Sequence, residues 1–174
     1  MPNLEIELNP ADFVTIDTIG PKGQRVFYLQ AGKDKQLVSM IIEKEQSWAL
    51  SEAIRELLDD LDKRTDSDTQ VDVTKLDMAL REPIEPVFRV AQMGLGYDEE
   101  NDRVVLIAQE LVITGDEDES ELEIDLEDDQ IRPSVVRIWC TREQMAALSL
   151  HAMDTVKSGR ADPRQNGRLV YYWT

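Results

Sequence analysis

The chain has 174 residues, 41% of them hydrophobic, which is enough for one ordinary domain with a buried core. Its 36 acidic and 19 basic residues leave a formal net charge of −17, which argues against direct binding of nucleic acid or anionic lipid. One cysteine and one histidine exclude an intrachain disulfide, a cysteine-rich zinc site and a multi-histidine metal centre. Because no signal peptide and no apolar run of about 20 residues is visible, we expect a cytoplasmic protein without a membrane span.

The first half of the chain predicts strands that lead into a helix. Alternating or β-rich segments predict strands at 4–8, 13–18, 25–31 and 37–42. A helix is predicted over 44–63. Its apolar residues recur at helical spacing and define one face for packing on a sheet: Leu50, Ala53, Ile54, Leu57, Leu58 and Leu61.

After a linker at 64–85, the second half predicts a similar series. Strands are predicted at 86–96, 103–113, 134–140 and 168–173. The helix at 142–158 precedes the last of these, and Thr141 with Gln144 fits a capping box at its start. Because this helix has two apolar stripes, it needs a second cover besides the sheet. A neighbouring helix and a second subunit in a homodimer both remain open.

An internal repeat relates the two halves. Residues 38–51 and 136–149 match at an offset of 98, with six of fourteen positions identical. We therefore predict two strand-strand-strand-helix copies, repeat one over 10–63 and repeat two over 86–158, packed about a pseudo-twofold axis. The predicted fold is a single α+β domain, 1–174, with a mainly antiparallel sheet.

An acidic insertion at 114–131 separates the last two strands of repeat two. Three interpretations stay open: a solvated loop, a strand that docks a basic partner protein, and a weak, nonspecific Ca²⁺ or Mg²⁺ site. A true EF-hand is rejected because Glu121 stands where that loop needs glycine. The candidate partner-binding residues are ten acids among fourteen residues: Asp116, Glu117, Asp118, Glu119, Glu121, Glu123, Asp125, Glu127, Asp128 and Asp129.

The two predicted helices begin alike. Acids at a helix start complement the helix dipole and glutamine can close a cap, so structure alone can explain the shared residues. The alternative is a site between the two repeats, lined by Glu45, Gln46, Glu143 and Gln144. We expect Cys140 to be a core residue and His151 a core or interface residue. No Ser-His-acid set or phosphate loop can be assembled, so no catalytic residue, metal ligand or cofactor is assigned.

Three segments stand out together: Gly-Gln-Arg-x-Phe-Tyr-Leu-Gln-Ala at 23–31, EKEQ at 43–46 and FRVAQMGLGYDEENDRVVLIAQE at 88–110. They resemble an uncharacterised bacterial family catalogued as domain of unknown function 3090, over about residues 10–160. The resemblance implies a soluble bacterial protein with the family's fold, and it supplies no activity, substrate or partner. It also implies a cysteine-rich tail similar to a zinc ribbon. Only traces of that tail remain here, at 162–164 and 166–167, so a zinc site is not expected.

The function that these features favour is that of a non-enzymatic interaction or adaptor protein that binds a basic partner. The concentrated acidic segment and the lack of a recognisable catalytic set support it. The alternative is an enzyme, or a protein that binds a small ligand or a divalent cation between the two repeats. A third candidate is a nucleic-acid mimic, which would need carboxylates spaced like phosphates.

Overall fold

A computed structural model describes residues 4–21, 23–72, 77–112 and 132–158. These residues form seven strands and two helices. In chain order they are β1 (Glu5–Leu8), β2 (Phe13–Ile19), β3 (Val26–Lys33), β4 (Gln36–Ile42), α1 (Lys44–Thr65), β5 (Pro86–Asp98), β6 (Arg103–Glu110), β7 (Val135–Cys140) and α2 (Arg142–Ser158). The α+β class is confirmed. The strand predicted at 168–173 lies outside the described residues.

All seven strands belong to one sheet, in the order β1-β7-β6-β5-β4-β3-β2. Neighbouring strands are antiparallel except for the β4–β5 pair and the β1–β7 pair at one edge, so the mainly antiparallel sheet is confirmed. β4 is the last strand of the first half of the chain and β5 the first strand of the second half. The parallel β4–β5 pair is therefore the junction between the two halves in the middle of the sheet, and the β1–β7 pair joins them again at one edge.

The core lies between the sheet and the two helices. Successive strand residues point to opposite faces, so alternate positions enter the core. Fully buried examples are Ile16, Leu29, Met40, Leu106 and Ile138. Burying an aliphatic side chain of this size contributes about 1.5–3 kcal/mol before entropic costs, so this layer is the main source of stability.

The buried face of α1 differs from the predicted one. Leu50, Ile54, Leu58 and Leu61 are buried as expected, but Ala53 is exposed and the expectation for it is wrong. Buried serines take its place, because the inward face of α1 is rotated toward α2 and small side chains allow the two helices to approach closely.

The two helices run antiparallel and touch. Ser51 Oγ donates to the carbonyl oxygen of Ser149 at 2.7 Å, and Ser149 Oγ donates to that of Ser51 at 2.8 Å. The two serines are separated by the offset of 98 found in the sequence match. A twofold axis between the helices would produce such reciprocal bonds. The internal repeat itself stays a prediction. Within this chain, α1 is the second cover that α2 requires.

The face of the sheet opposite the helices carries a row of buried polar residues. Thr15, Gln30 and Ser39 are neighbours across β2, β3 and β4, and each is at most 2% exposed. The second part of the predicted linker crosses over this row. Thr15 Oγ1 donates to the carbonyl oxygen of Met78 at 2.6 Å, and Gln30 bonds both backbone groups of Arg81 at 2.8 Å.

Candidate functional site

A pocket of about 410 Å³ lies where the two halves of the chain meet. It is bounded by the start of β3, the end of β4 and the first part of β5, by the turn before β3 and by the start of α1. We call it the junction pocket. Its uncharged walls are Gly23, Val26, Phe27, Ile41 and Ile42, and its charged residues are Arg25, Glu43, Lys44, Glu45 and Arg89.

Strand pairing assembles this pocket from distant parts of the chain. Phe27 of β3 pairs with Ile42 of β4, and Ile41 of β4 pairs with Arg89 of β5. β4 then passes directly into the first turn of α1. Side chains from both halves of the chain are therefore neighbours at one end of the β4–β5 pair.

Three cations and two carboxylates line the junction pocket. Arg89 Nη1 lies 2.6 Å from Glu43 Oε2, and these side chains are 48% and 57% exposed. An ion pair this exposed contributes about 0.2–1 kcal/mol, so a ligand carboxylate or phosphate can replace Glu43 at little cost. Because cations outnumber carboxylates, the pocket is better suited to an anionic group than to a divalent cation.

The glutamines proposed for a site between the repeats close helix caps. Gln46 Oε1 accepts a hydrogen bond from the backbone N–H of Glu43 at 2.7 Å, and Gln144 Oε1 accepts one from that of Thr141 at 2.8 Å. Thr141 Oγ1 in turn accepts from the backbone N–H of Gln144 at 3.0 Å, which confirms the predicted capping box. Each glutamine amide nitrogen also donates to a backbone carbonyl of a neighbouring segment.

The structure does not bring Glu45 and Glu143 together. Both are exposed near the starts of helices that run antiparallel. Glu45 shares a small cavity with Val156, near the end of α2, whereas Arg142 contacts Asp62, near the end of α1. The rise of α1 between these levels is about 25 Å. Of the two carboxylates, Glu45 lies in the junction pocket and Glu143 lies at the other end of the helix pair.

The ten acids proposed to bind a partner fall within 113–131, outside the described residues, but the stem of that segment is defined. The backbone N–H of Glu110 donates to the carbonyl oxygen of Ser134, and the backbone N–H of Ser134 donates to Glu110 Oε1, both at 2.9 Å. The N–H of Leu111 donates to the carbonyl oxygen of Arg89 at 2.7 Å. The acidic segment therefore leaves the sheet beside a residue of the junction pocket.

A buried arginine that the sequence did not single out joins three parts of the chain. Arg142 is 7% exposed. Its Nε donates to Asp102 Oδ1 and its Nη1 to Asp62 Oδ1, both at 2.9 Å, with Thr65 Oγ1 3.1 Å from Nη1. Nη2 lies 3.2 Å from the Tyr97 hydroxyl, which donates to Asp102 at 2.7 Å. We call this the Arg142 network, and it links α1, the β5–β6 hairpin and α2.

The Arg142 network favours the charged forms of its members. Desolvation raises the pKa of Asp62, but hydrogen bonds from Thr69 and Arg142 outweigh it and hold that pKa below its ordinary value. For Asp102, the hydrogen bond from Tyr97 is the largest cause of a lowered pKa. Since a cation opposes the dipole at a helix start, Arg142 at the first position of α2 was the available sequence signal.

The lone cysteine and the lone histidine have structural surroundings. Cys140 is fully buried, so the prediction of a core residue is confirmed, and burial raises the pKa of its thiol. His151 is partly buried at the helix–sheet interface, with Nε2 3.8 Å from Asp17 Oδ2. Within the described part of the chain this nitrogen has no hydrogen-bond partner. Desolvation raises the pKa of Asp17, but His151 and the Thr18 backbone N–H bring it below its ordinary value.

The described ranges contain neither a cluster of metal-ligating side chains nor a membrane-spanning helix. In those ranges no group of three or more His, Cys, Asp or Glu residues could hold a metal ion. Neither helix there is long and apolar enough to cross a bilayer.

No pattern in the sequence predicts that the charged residues of the junction pocket lie together. Arg25, Lys44 and Arg89 have no mutual spacing that a motif could record, because strand pairing alone makes them neighbours. The three segments that carry the family resemblance supply every lining residue of this pocket except Ile41 and Ile42. The resemblance was therefore the available sequence signal for the pocket.

Comparison with known proteins identifies the family and no closer relative. The family model described as "Protein of unknown function (DUF3090)" matches residues 6–165, which include every described helix and all strands beyond the first residue of β1. Neither a curated protein nor a solved structure matches the chain. The chain therefore belongs to the DUF3090 family of proteins of unknown function.

Proposed function

We propose that this is a non-enzymatic interaction protein whose acidic segment, Asp116–Asp129, binds a basic partner. The observation that carries the proposal is the charge of this segment, which has ten acids and no basic residue. Carboxylates at this density attract a basic surface and speed its encounter with the protein. We place this activity in the bacterial cytoplasm, without direct contact to nucleic acid.

The position of the segment supports the proposal. It is inserted between β6 and β7, which are adjacent antiparallel strands. Hydrogen bonds between Glu110 and Ser134 close the base of the insertion. A partner can therefore engage the acids without opening the core, because the strands on either side are already paired.

Capture from host lysate tests the proposal. The parent is compared with a ten-amide variant, in which every Asp and Glu of 116–129 becomes Asn or Gln. A control variant carries amides at exposed acids of α1: Glu56, Asp59 and Asp60. We expect a basic protein to be enriched at least tenfold by the parent and the control, and to be lost with the ten-amide variant and in about 0.5 M salt. Equal capture by all three proteins would contradict acidic docking.

A second candidate function is the binding of a small anionic ligand in the junction pocket. The observation that favours it is the convergence of Arg25, Lys44 and Arg89 on one concave site. Guanidinium groups bind carboxylate and phosphate with two parallel hydrogen bonds, so a ligand carrying either group is the best match. The mixed charge of the site also admits an amino group beside Glu45.

Calorimetric titration with inorganic phosphate and with a dicarboxylate tests this second function. We expect binding by the parent and at least tenfold weaker binding by Arg89→Gln. Arg64→Gln is the matched control, because Arg64 lies on α1 outside the pocket in an exposed pair with Asp60. No heat of binding from either probe, or equal affinity in both variants, would argue against a ligand site here.

A further inference from the structure

One edge of β5 is unpaired over half its length. β5 runs from Pro86 to Asp98, and its pairing with β4 ends at Arg89. Pairing with β6 continues to Asp98 on the other side. Among the described residues, 92–98 therefore have a neighbouring strand on one side only. A free strand edge presents unsatisfied backbone N–H and C=O groups, which favour the addition of another strand.

A groove of about 390 Å³ runs along this free edge, between β5 and α1. We call it the edge groove. Its lining is mostly apolar or small and includes Ala49, Leu50 and Ala53 of α1 with Met93, Gly94 and Leu95 of β5. A Cβ added at Gly94 would meet no atom within 4 Å, so the edge is open to a close backbone approach. An open edge beside apolar pockets is the arrangement that an extended peptide needs in order to add as a strand.

We propose that residues 168–173 of the same chain dock in the edge groove as an added β-strand on β5. This segment, Arg-Leu-Val-Tyr-Tyr-Trp, combines β-branched and aromatic residues. In a strand, Leu169, Tyr171 and Trp173 share one face, which suits the apolar lining. The docking requires neither the acidic segment nor the junction pocket.

The end of the described chain lies within reach of the groove. α2 ends at Ser158, and Val156 shares a cavity with Lys44, Glu45 and Trp48 of α1. Nine residues separate Ser158 from Arg168, and the ten steps along the chain can span at most about 33–36 Å. A helix with its side chains is only about 10–12 Å across, so the connection can pass around the start of α1 to the groove on its far side.

Charge favours this segment over a second copy of the chain. Residues 163–174 carry two arginines and no acid, in a protein with a net charge of −17. Docking the segment therefore brings positive charge to a strongly acidic protein, whereas pairing two β5 edges would bring two strongly acidic molecules together.

Backbone amide exchange measured by NMR tests the docking. The full chain is compared with a chain that stops after Gly167. We expect the free-edge amides of 92–98 to exchange at least tenfold more slowly in the full chain, and a synthetic 168–174 peptide added to the shortened chain to restore part of that protection. Thermal unfolding of both chains establishes that the shortened one is folded.

Two substitutions localise the effect. Ala53→Glu places a charge in the edge groove at an exposed helix position, and it should abolish the protection in the full chain. Leu150→Glu is the control, because Leu150 is 51% exposed on α2 and lies outside the groove. Equal exchange of 92–98 in the full and shortened chains would overturn the proposal. So would protection that rises with protein concentration in both chains, which would instead assign the groove to a second copy.

Discussion

At the scale of single residues, Arg142 has a larger structural role than its position in the sequence indicated. Its guanidinium is almost fully buried, while Asp102, one of its two carboxylate partners, is 58% exposed. A buried arginine keeps its charge, so it must find its acceptors within the protein. Arg142 finds them on α1 and on the β5–β6 hairpin, and it thereby holds both against the start of α2.

Arg142→Met should lower the free energy of unfolding by about 1.5–3 kcal/mol, because it removes several charge-assisted hydrogen bonds, although Asp102 remains accessible to water. Urea denaturation measures this loss. Arg64→Met is the matched control, since the Arg64–Asp60 pair is exposed and should contribute no more than about 1 kcal/mol. Equal losses of unfolding free energy for the two substitutions would contradict the interpretation that Arg142 holds α1 and the β5–β6 hairpin against α2.

The stability difference between the parent and Arg142→Met should also depend on pH. The pKa values of Asp62 and Asp102 are lowered in the folded state, so the unfolded chain binds their protons more readily. Their contribution is complete above the ordinary value of 3.8 and is lost as pH falls through the lower folded values. The stability difference between parent and Arg142→Met should therefore shrink as the pH is lowered below about 4. A difference that persists at the same size would show that packing, not charge, causes it.

At the scale of elements, buried Gln30 attaches the second part of the predicted linker to the back of the sheet. Its amide donates to Ser39 Oγ at 3.0 Å and to the carbonyl oxygen of Arg81, and its Oε1 accepts from the backbone N–H of Arg81. The Arg81 guanidinium also stacks on Phe13, 3.6 Å from the ring centre. One side chain thus satisfies both backbone groups of a loop residue, which is why a glutamine is tolerated at a fully buried position.

Gln30→Met should destabilise the fold by about 1–3 kcal/mol, since it leaves the Arg81 backbone without its described partners. It should also speed trypsin cleavage after Arg81, because the loop loses its main attachment. Limited proteolysis followed by mass spectrometry measures the rate. Gln92→Met serves as the control, because Gln92 is exposed, bonds the Gln109 side chain and should leave cleavage unchanged. Equal cleavage in both variants would assign the attachment to Phe13 instead.

Element boundaries show how far local pattern can predict this fold. The predicted helix at 142–158 matches α2 in both limits, since its cap and its apolar stripes are local signals. The strand predicted at 86–96 continues to Asp98 as β5, and the one predicted at 103–113 ends at Glu110 as β6. Hydrogen bonding to a neighbouring strand sets these ends, and the neighbour is not encoded in the strand's own sequence.

At the scale of the whole molecule, the net charge of −17 is the dominant electrostatic property. Like charges repel one another more in the compact state than in the expanded one, so the charge opposes folding. Ten of the negative charges lie within fourteen residues, where mutual repulsion is strongest. Salt screens this repulsion, with a Debye length that falls from about 30 Å at 0.01 M to about 8 Å at 0.15 M.

Adding salt over that range should raise the free energy of unfolding of the parent, because screening relieves repulsion that is greater in the folded state. The ten-amide variant should gain less, since it lacks ten of the charges. Urea denaturation at the two salt concentrations supplies both values. A larger gain for the ten-amide variant than for the parent would mean that the segment does not contribute to the repulsion.

The sequence by itself determined the α+β class, the strand and helix series and the acidic character of the protein. These depend on periodicity, caps and composition, which are local properties of the chain. It also contained the resemblance that the family match bears out.

Only the tertiary structure decided which segments meet. The parallel β4–β5 junction, the pocket beside it, the free edge of β5 and the Arg142 network all join residues that are far apart in sequence. Each depends on strand order and on the rotation of α1 about its own axis. The physical reason is that many arrangements of strands and helices satisfy the same local pattern. Long-range pairing and packing select one of them, and this selection brings together charged side chains that no spacing in the sequence relates.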